Sequence, residues 1–153
     1  MAEVDPSALS LELSRRFAAP PARVFDAWLG KTWGEWLPPA GASCEVAELN
    51  PTVGGRYLVR MKMADGRNVE ISGTYREIDR PRKLVLTWNS SYMKQEMLIT
   101  VAFREDGGGT VMTLRQEGFP EPALRDAYKG GWGGPGGSLD KLATFLAKSR
   151  AEA

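Results

Sequence analysis

Side chains able to do acid-base, nucleophilic or metal chemistry are scarce in this sequence. It has no histidine, which removes the commonest general base, the commonest metal ligand and the usual switch near neutral pH. A Ser-His-Asp triad and any His-containing zinc set are therefore excluded. The one cysteine, Cys44, leaves no intramolecular disulfide. At the start of a predicted strand, with no activating base or cationic neighbour identified, it reads as a small buried hydrophobe. Only carboxylates remain as metal ligands and no EF-hand spacing occurs, so no metal and no cofactor is expected. Acid-base work would fall to Glu70, Glu77 or Glu96, which sit on predicted strands and would titrate high inside an apolar cavity. Glu35 and Arg56 form a further candidate pair near the entrance of such a cavity.

The sequence is better supplied with aromatic and sulfur-bearing surface. Trp28, Trp33, Trp36, Tyr57, Met61, Met63, Tyr75, Trp88, Met97, Tyr128 and Trp132 form one set, and its strand members recur at every second position on one face. Trp and Tyr join apolar bulk to a polar tip, and Met adapts to irregular shapes, which suits a pocket that orients a ligand. The candidate ligand-binding residues are Trp28, Trp36, Tyr57, Met61, Ile71, Tyr75, Trp88, Met97, Tyr128, Trp132 and Leu142, with Tyr75 and Tyr128 as polar tips. The competing reading is that they fill the core. Trp132 lies in "YKGGWGGPGGSLDK", flanked by glycines 130, 131, 133, 134, 136 and 137. Either these free Trp132 to act as a lid, or they supply left-handed turns and close contacts around a buried Trp132. A phosphate cradle is disfavoured, because the run lacks a P-loop Lys-Ser/Thr and the strand that precedes a dinucleotide site.

Regular patterns frame these residues. "LSLELSRRFAAP" alternates, with Leu9, Leu11, Leu13 and Phe17 in phase, and reads as a half-buried strand. "PPARVFDAWLG" reads as a short amphipathic helix with Pro21 at its first turn and Gly30 as its stop. "KTWGEWLPP" reads as a second short helix. Strands follow in "SCEVAELN", "RYLVRMKM", "NVEISGTYREID", "LVLTWN", "EMLITVAFRE" and "TVMTLRQEGF", with turns at "PTVGG", "ADGR", "RPRK" and "DGGG" and a connection at "SSYMKQ". Arg56, Arg60 and Lys62 fall opposite Tyr57 and Met61, as a solvated outer face. "PEPALRDAYKG" and "SLDKLATFLAKS" read as helices, the second capped by Ser138, with a stripe of Leu139, Leu142, Phe145 and Leu146. Hairpins in series make an antiparallel sheet with one face to cover. One terminal helix, about 10–12 Å wide with its side chains, covers part of that face. The remainder is filled by large side chains or left as a cavity.

Length and composition match one globular domain. At 153 residues and 42% hydrophobic, the chain can bury a sizeable core, and residues 9–148 are expected to form it. A formal net charge of +1 supplies no field for nucleic acid or membrane surfaces. No window approaches the roughly 20 apolar residues of a membrane span. "MAEVDPSALS" has neither a basic start nor an apolar run, so no signal peptide and a cytoplasmic location are expected.

The segments "FAAPPARVFDAWL", "NPTVGGRYLVRM", "DGRNVEISGTYREIDRPRKLVLTW", "VAFREDGGGTVMTLRQEGFP" and "GWG…SLDKLATFL", in that order, resemble the activator of heat-shock-protein-90 ATPase homologue-like family. That family belongs to the START-like, helix-grip (SRPBCC) superfamily, and the likeness runs from Ser10 to Lys148. It implies an α+β helix-grip fold: a curved antiparallel sheet around a long C-terminal helix, two short helices after strand 1, and a cavity between sheet and helix. Two departures stand near the expected cavity mouth. Family members often carry a histidine before the GWG element, where this chain has Tyr128. The stretch between "GWG" and "SLDKL" is longer than usual by about the three residues "GPG".

The functional expectation is a non-catalytic module that holds a small apolar, aromatic or lipid-like molecule between sheet and terminal helix. An enzyme of the cyclase, dehydratase or hydrolase kind is the first alternative, and it calls for an inward carboxylate or a Tyr–Arg pair. A chaperone-accessory or stress-response interaction protein is the second, and it calls for an exposed apolar patch. A homodimer through an edge strand is compatible with each.

Overall fold

The computed structural model describes residues 6–91 and 95–151. The predicted connection at residues 90–95 falls partly outside them. A short 3-10 turn, Pro6–Leu9, leads into β1 (Ser10–Phe17). Next come α1 (Pro21–Trp28), α2 (Trp33–Trp36), β2 (Ser43–Leu49), β3 (Arg56–Lys62), β4 (Asn68–Asp79) and β5 (Lys83–Ser90). The chain continues through β6 (Met97–Asp106), β7 (Gly109–Glu117), α3 (Pro122–Gly133) and α4 (Ser138–Ala151). Leu9, in phase with β1 by sequence, belongs to the 3-10 turn, and its carbonyl accepts from Phe119 N–H at 3.1 Å.

The strands form a seven-stranded sheet in the order β1-β7-β6-β5-β4-β3-β2, every neighbouring pair antiparallel. Alternation does what it must on a pleated surface. Tyr57, Val59 and Met61 of β3, Leu84, Leu86 and Trp88 of β5, and Met97, Ile99, Val101 and Phe103 of β6 are buried. Arg56, Arg60 and Lys62 point to solvent. This inner face carries the core, and all four helices lie along it, with α2 and α3 flanking α4.

Local chemistry sets the element ends. Pro21 occupies the first turn of α1, where its missing N–H costs nothing. The helix stops at Gly30, whose φ of +119° suits glycine. A Cβ there would lie 2.5 Å from Leu49 Cδ1 and 2.9 Å from Tyr75 Oη. Ser138, expected as the cap of α4, is instead its first residue, and its hydroxyl donates to the Leu37 carbonyl at 2.6 Å. The freed end is held by Asp140, which accepts from Gly136 N–H at 2.8 Å.

Asp140 also joins α4 to the edge strand β1, through Arg15 Nη1 at 2.6 Å. Both bonds favour the carboxylate, so Arg15 and the Gly136 amide hold Asp140 below the usual aspartate range. A depressed pKa stabilises the fold above the unfolded-state value, about 3.9, and that contribution is lost as pH falls through the folded value. Asp140→Asn is therefore expected to lower the denaturant midpoint at neutral pH, and the difference from the parent is expected to vanish in acid. A penalty that persists unchanged in acid would show that packing, not charge, is at stake.

Candidate functional site

The inner face is not filled at one end. A cavity of about 250 Å³ lies where β3, β4 and β5 face α3. Met61, Val69, Ile71, Trp88 and Ser90 line it from the sheet. Leu124, Ala127, Tyr128, Gly131 and Trp132 line it from α3. Leu37 and Pro39, Met63 and Arg67 of the β3–β4 hairpin, and Ser138 at the start of α4 complete it. The lining is mostly apolar, and among the described residues it contains no carboxylate.

Two aromatic residues on facing elements shape the interior. Trp88 and Trp132 stand with ring centroids 5.7 Å apart at 57°, a tilted wall. Trp88 Nε1 donates to Tyr128 Oη at 3.2 Å, and the rings of Tyr128 and Phe119 meet edge to face at 5.3 Å. Burial raises the Tyr128 pKa, so its hydroxyl stays protonated at neutral pH.

Trp132 is only 4% exposed. Its indole N–H donates to Gln116 Oε1 at 2.9 Å, and Gln116 Nε2 turns to Met97 Sδ at 3.5 Å. Gly131 and Gly133 continue α3 through this position, past the end of the helix predicted from "PEPALRDAYKG". Of the two readings of the glycine run, close approach prevails over a swinging lid. A Cβ on Gly134 would lie 2.4 Å from the Gly130 carbonyl oxygen, and one on Gly137 would lie 2.6 Å from that of Gly131. The glycines let the chain fold back on itself between α3 and α4.

Among the candidates, Met61, Ile71, Trp88, Tyr128 and Trp132 line the cavity. Trp28, Trp36, Tyr57, Tyr75, Met97 and Leu142 sit in the packed core beside it. Each has a partner that occupies it there. Trp28 donates to Met112 Sδ at 3.0 Å and meets Trp36 edge to face at 4.9 Å. Trp33, from the same aromatic set, packs on Tyr57 with centroids 5.0 Å apart. The Tyr57 hydroxyl donates to the Thr87 carbonyl and the Tyr75 hydroxyl to the Leu29 carbonyl. Tyr75 thus secures the end of α1 instead of presenting a polar tip to the cavity. Met97 receives Gln116, and Leu142 of α4 is fully buried in the core.

The candidate acids lie on the outer face. Glu70 pairs with Arg60 at 3.2 Å, Glu77 with Lys83 at 3.2 Å and Glu96 with Arg76 at 3.7 Å. Glu35 and Arg56 are exposed, and no hydrogen bond or ion pair joins them. Cys44 is half-buried. Burial pushes its thiol up to about 11 against a small opposing pull from Lys141, so it is a poor nucleophile. Among the described residues, no group of three or more Cys, Asp or Glu is placed to hold a metal, and no helix is long and apolar enough to cross a membrane. A second, more open hollow borders β2, β3 and β4, where Arg60 already pairs with Glu45 and Glu70.

Arg67, Val69, Ser90, Leu124, Ala127 and Gly131 were not among the sequence candidates. Val69 was within reach of the period-two pattern, being in phase with Ile71. The α3 residues were not, because the register of a helix against a sheet is set by tertiary packing.

A seven-stranded antiparallel sheet closed on one side by helices, with two short helices after the first strand and a cavity under the C-terminal ones, defines a helix-grip protein of the START-like superfamily. Within that class, the chain belongs to the family described as Activator of Hsp90 ATPase homolog 1-like protein, which it matches over residues 18–147. Protein CV1439 from Chromobacterium violaceum shares 27% identity, covering 90% of this chain and 96% of that one, with a TM-score of 0.83. The AHSA1 protein from Silicibacter pomeroyi shares 23% identity over 92% of this chain and 99% of that one, with a TM-score of 0.76. A protein from Arthrobacter aurescens shares 20% identity over 95% of this chain and 90% of that one, with a TM-score of 0.78. None of the curated proteins matches this sequence.

Proposed function

We propose that this protein is a binding module for a small, largely apolar ligand held between the sheet and α3. The observation that carries the reading is the cavity of about 250 Å³, walled by Trp88, Trp132, Tyr128 and aliphatic and methionine side chains. The space is just under the roughly 300–1,000 Å³ of typical ligand sites, which favours a one- or two-ring compound over a bulky lipid. The enzyme alternative calls for an inward carboxylate or a Tyr–Arg pair; among the described residues no carboxylate lines the cavity, while Tyr128 and Arg67 both do, Arg67 being exposed and paired with Asp65. The interaction-protein alternative calls for an apolar outer patch, and Val53 is the large hydrophobic exposed among the described residues.

Titration with 2-naphthamide, a neutral two-ring probe, tests the reading by calorimetry and by the indole N–H resonances. One saturable site is expected, with the Trp88 and Trp132 signals shifted and that of Trp33 unmoved. At 100 times Kd the ligand should raise unfolding stability by about 2.7 kcal/mol. No saturable heat at the solubility limit, or shifts spread evenly over all tryptophans, would remove the support for this site.

A further inference from the structure

Among the described residues, every polar side chain in the cavity lining already has a partner within the protein. Trp88 Nε1 donates to Tyr128 Oη at 3.2 Å, and Tyr128 is also hydrogen-bonded to Ser90. Trp132 Nε1 donates to Gln116 Oε1 at 2.9 Å, and Ser138 Oγ donates to the Leu37 carbonyl at 2.6 Å. Arg67 is exposed on the β3–β4 hairpin, where Asp65 accepts from its Nε at 2.7 Å. Ile71, Trp88 and Trp132 are buried and form the deep end of the cavity, while the partly exposed Met63 and the exposed Arg67 form its rim. A ligand hydroxyl or amide carried to the deep end would leave its water and meet groups that are already paired. That exchange costs about tenfold or more in affinity. At the rim the same group keeps its water and costs little.

We infer that the ligand class is a one- or two-ring compound polar at one end only, its bare ring against Trp88 and Trp132 and any hydroxyl or amide at the rim. This rests on the binding reading above and adds a rule of selection to it. A second polar group is tolerated beside the first and refused opposite it, so the site sorts positional isomers.

The test compares three probes at neutral pH by calorimetry: 2-naphthamide, 2,3-dihydroxynaphthalene and 2,6-dihydroxynaphthalene. The two isomers share composition and ring system and differ in whether both hydroxyls can stay at the rim. Expected is the 2,3-isomer about tenfold or more tighter than the 2,6-isomer. Ser90→Ala removes one partner of Tyr128 at the loss of a single oxygen, so it should fold as the parent does. It offers a hydroxyl inside the cavity a group to bond, and the gap is expected to narrow to about threefold. If 2-naphthamide binds but the parent holds both isomers equally, or the 2,6-isomer tighter, the selection is wrong and the cavity reading stands. A gap that Ser90→Ala leaves intact would assign the selection to shape, and the inference from the paired polar groups would fall. If none of the three probes binds, both readings fall together.

Discussion

Replacing Trp132 by alanine is expected to cost about 4 kcal/mol of folding stability, toward the upper end of what single substitutions do. Two effects add. The indole is 4% exposed and touches Trp28 and Trp88, with centroids 5.6 and 5.7 Å away, so its removal opens a hole that rigid neighbours cannot close. The substitution also strips Gln116 Oε1 of its donor in the interior, and a buried acceptor without a partner costs about 1–3 kcal/mol. Trp132→Phe shifts the balance between the two, since it keeps a six-membered ring in the hole but loses the N–H with the rest of the five-membered ring. It should cost clearly less than the alanine variant while still leaving Gln116 Oε1 without its donor. For a domain of this size a 4 kcal/mol loss lowers Tm by roughly 10 °C. Chemical denaturation of the two variants side by side makes the measurement. A loss below about 1 kcal/mol for the alanine variant would mean that Trp132 is loosely held, as the lid reading supposed.

That outcome bears on what can be read from sequence. The strands were legible because alternation is local: "NVEISGTYREID" is β4 residue for residue, and Leu84, Leu86 and Trp88 needed only their parity to be placed inside. The short helices were legible from proline and glycine at their ends. The site was legible by residue type but not by membership. Tyr57, Tyr75 and Tyr128 look alike as inward aromatics, yet two hydroxyls are spent on the backbone carbonyls of Thr87 and Leu29, and only Tyr128 reaches the cavity. Those carbonyls come into reach through packing between elements far apart in the chain. Arg67 escaped notice for the opposite reason. A turn arginine next to Asp65 reads as solvated, and only the fold brings that hairpin to the cavity's edge. The glycine run was legible only as two alternatives, since composition fits freedom and close approach equally. The crowded carbonyls of Gly130 and Gly131 show that the missing side chains leave room for backbone.

Gly131 offers the sharpest separation of site from scaffold, because it lines the cavity while contributing little to the core. It lies within α3, and its φ is not among the positive ones, so a side chain meets no backbone strain. A Cβ there would make ordinary contact with Pro39 Cβ at 3.6 Å. Gly131→Leu should therefore place an isobutyl group in the cavity and displace whatever the cavity holds. Glycine within a helix costs about 0.8–1.0 kcal/mol relative to good helix formers, so the same change is expected to leave stability equal or raise it by up to about 1 kcal/mol. Affinity for 2-naphthamide is expected to fall at least tenfold while Tm holds or rises. A variant that loses binding and stability together would be uninformative on its own, so Gly130→Leu, one residue away with nothing within 4 Å of its Cβ, serves as the control and should bind as the parent does. Loss of affinity at 130 and not at 131 would move the ligand to the outside of α3. Equal affinity in all three proteins would mean that the probe binds elsewhere and that the space between sheet and helix is a packing gap without a guest.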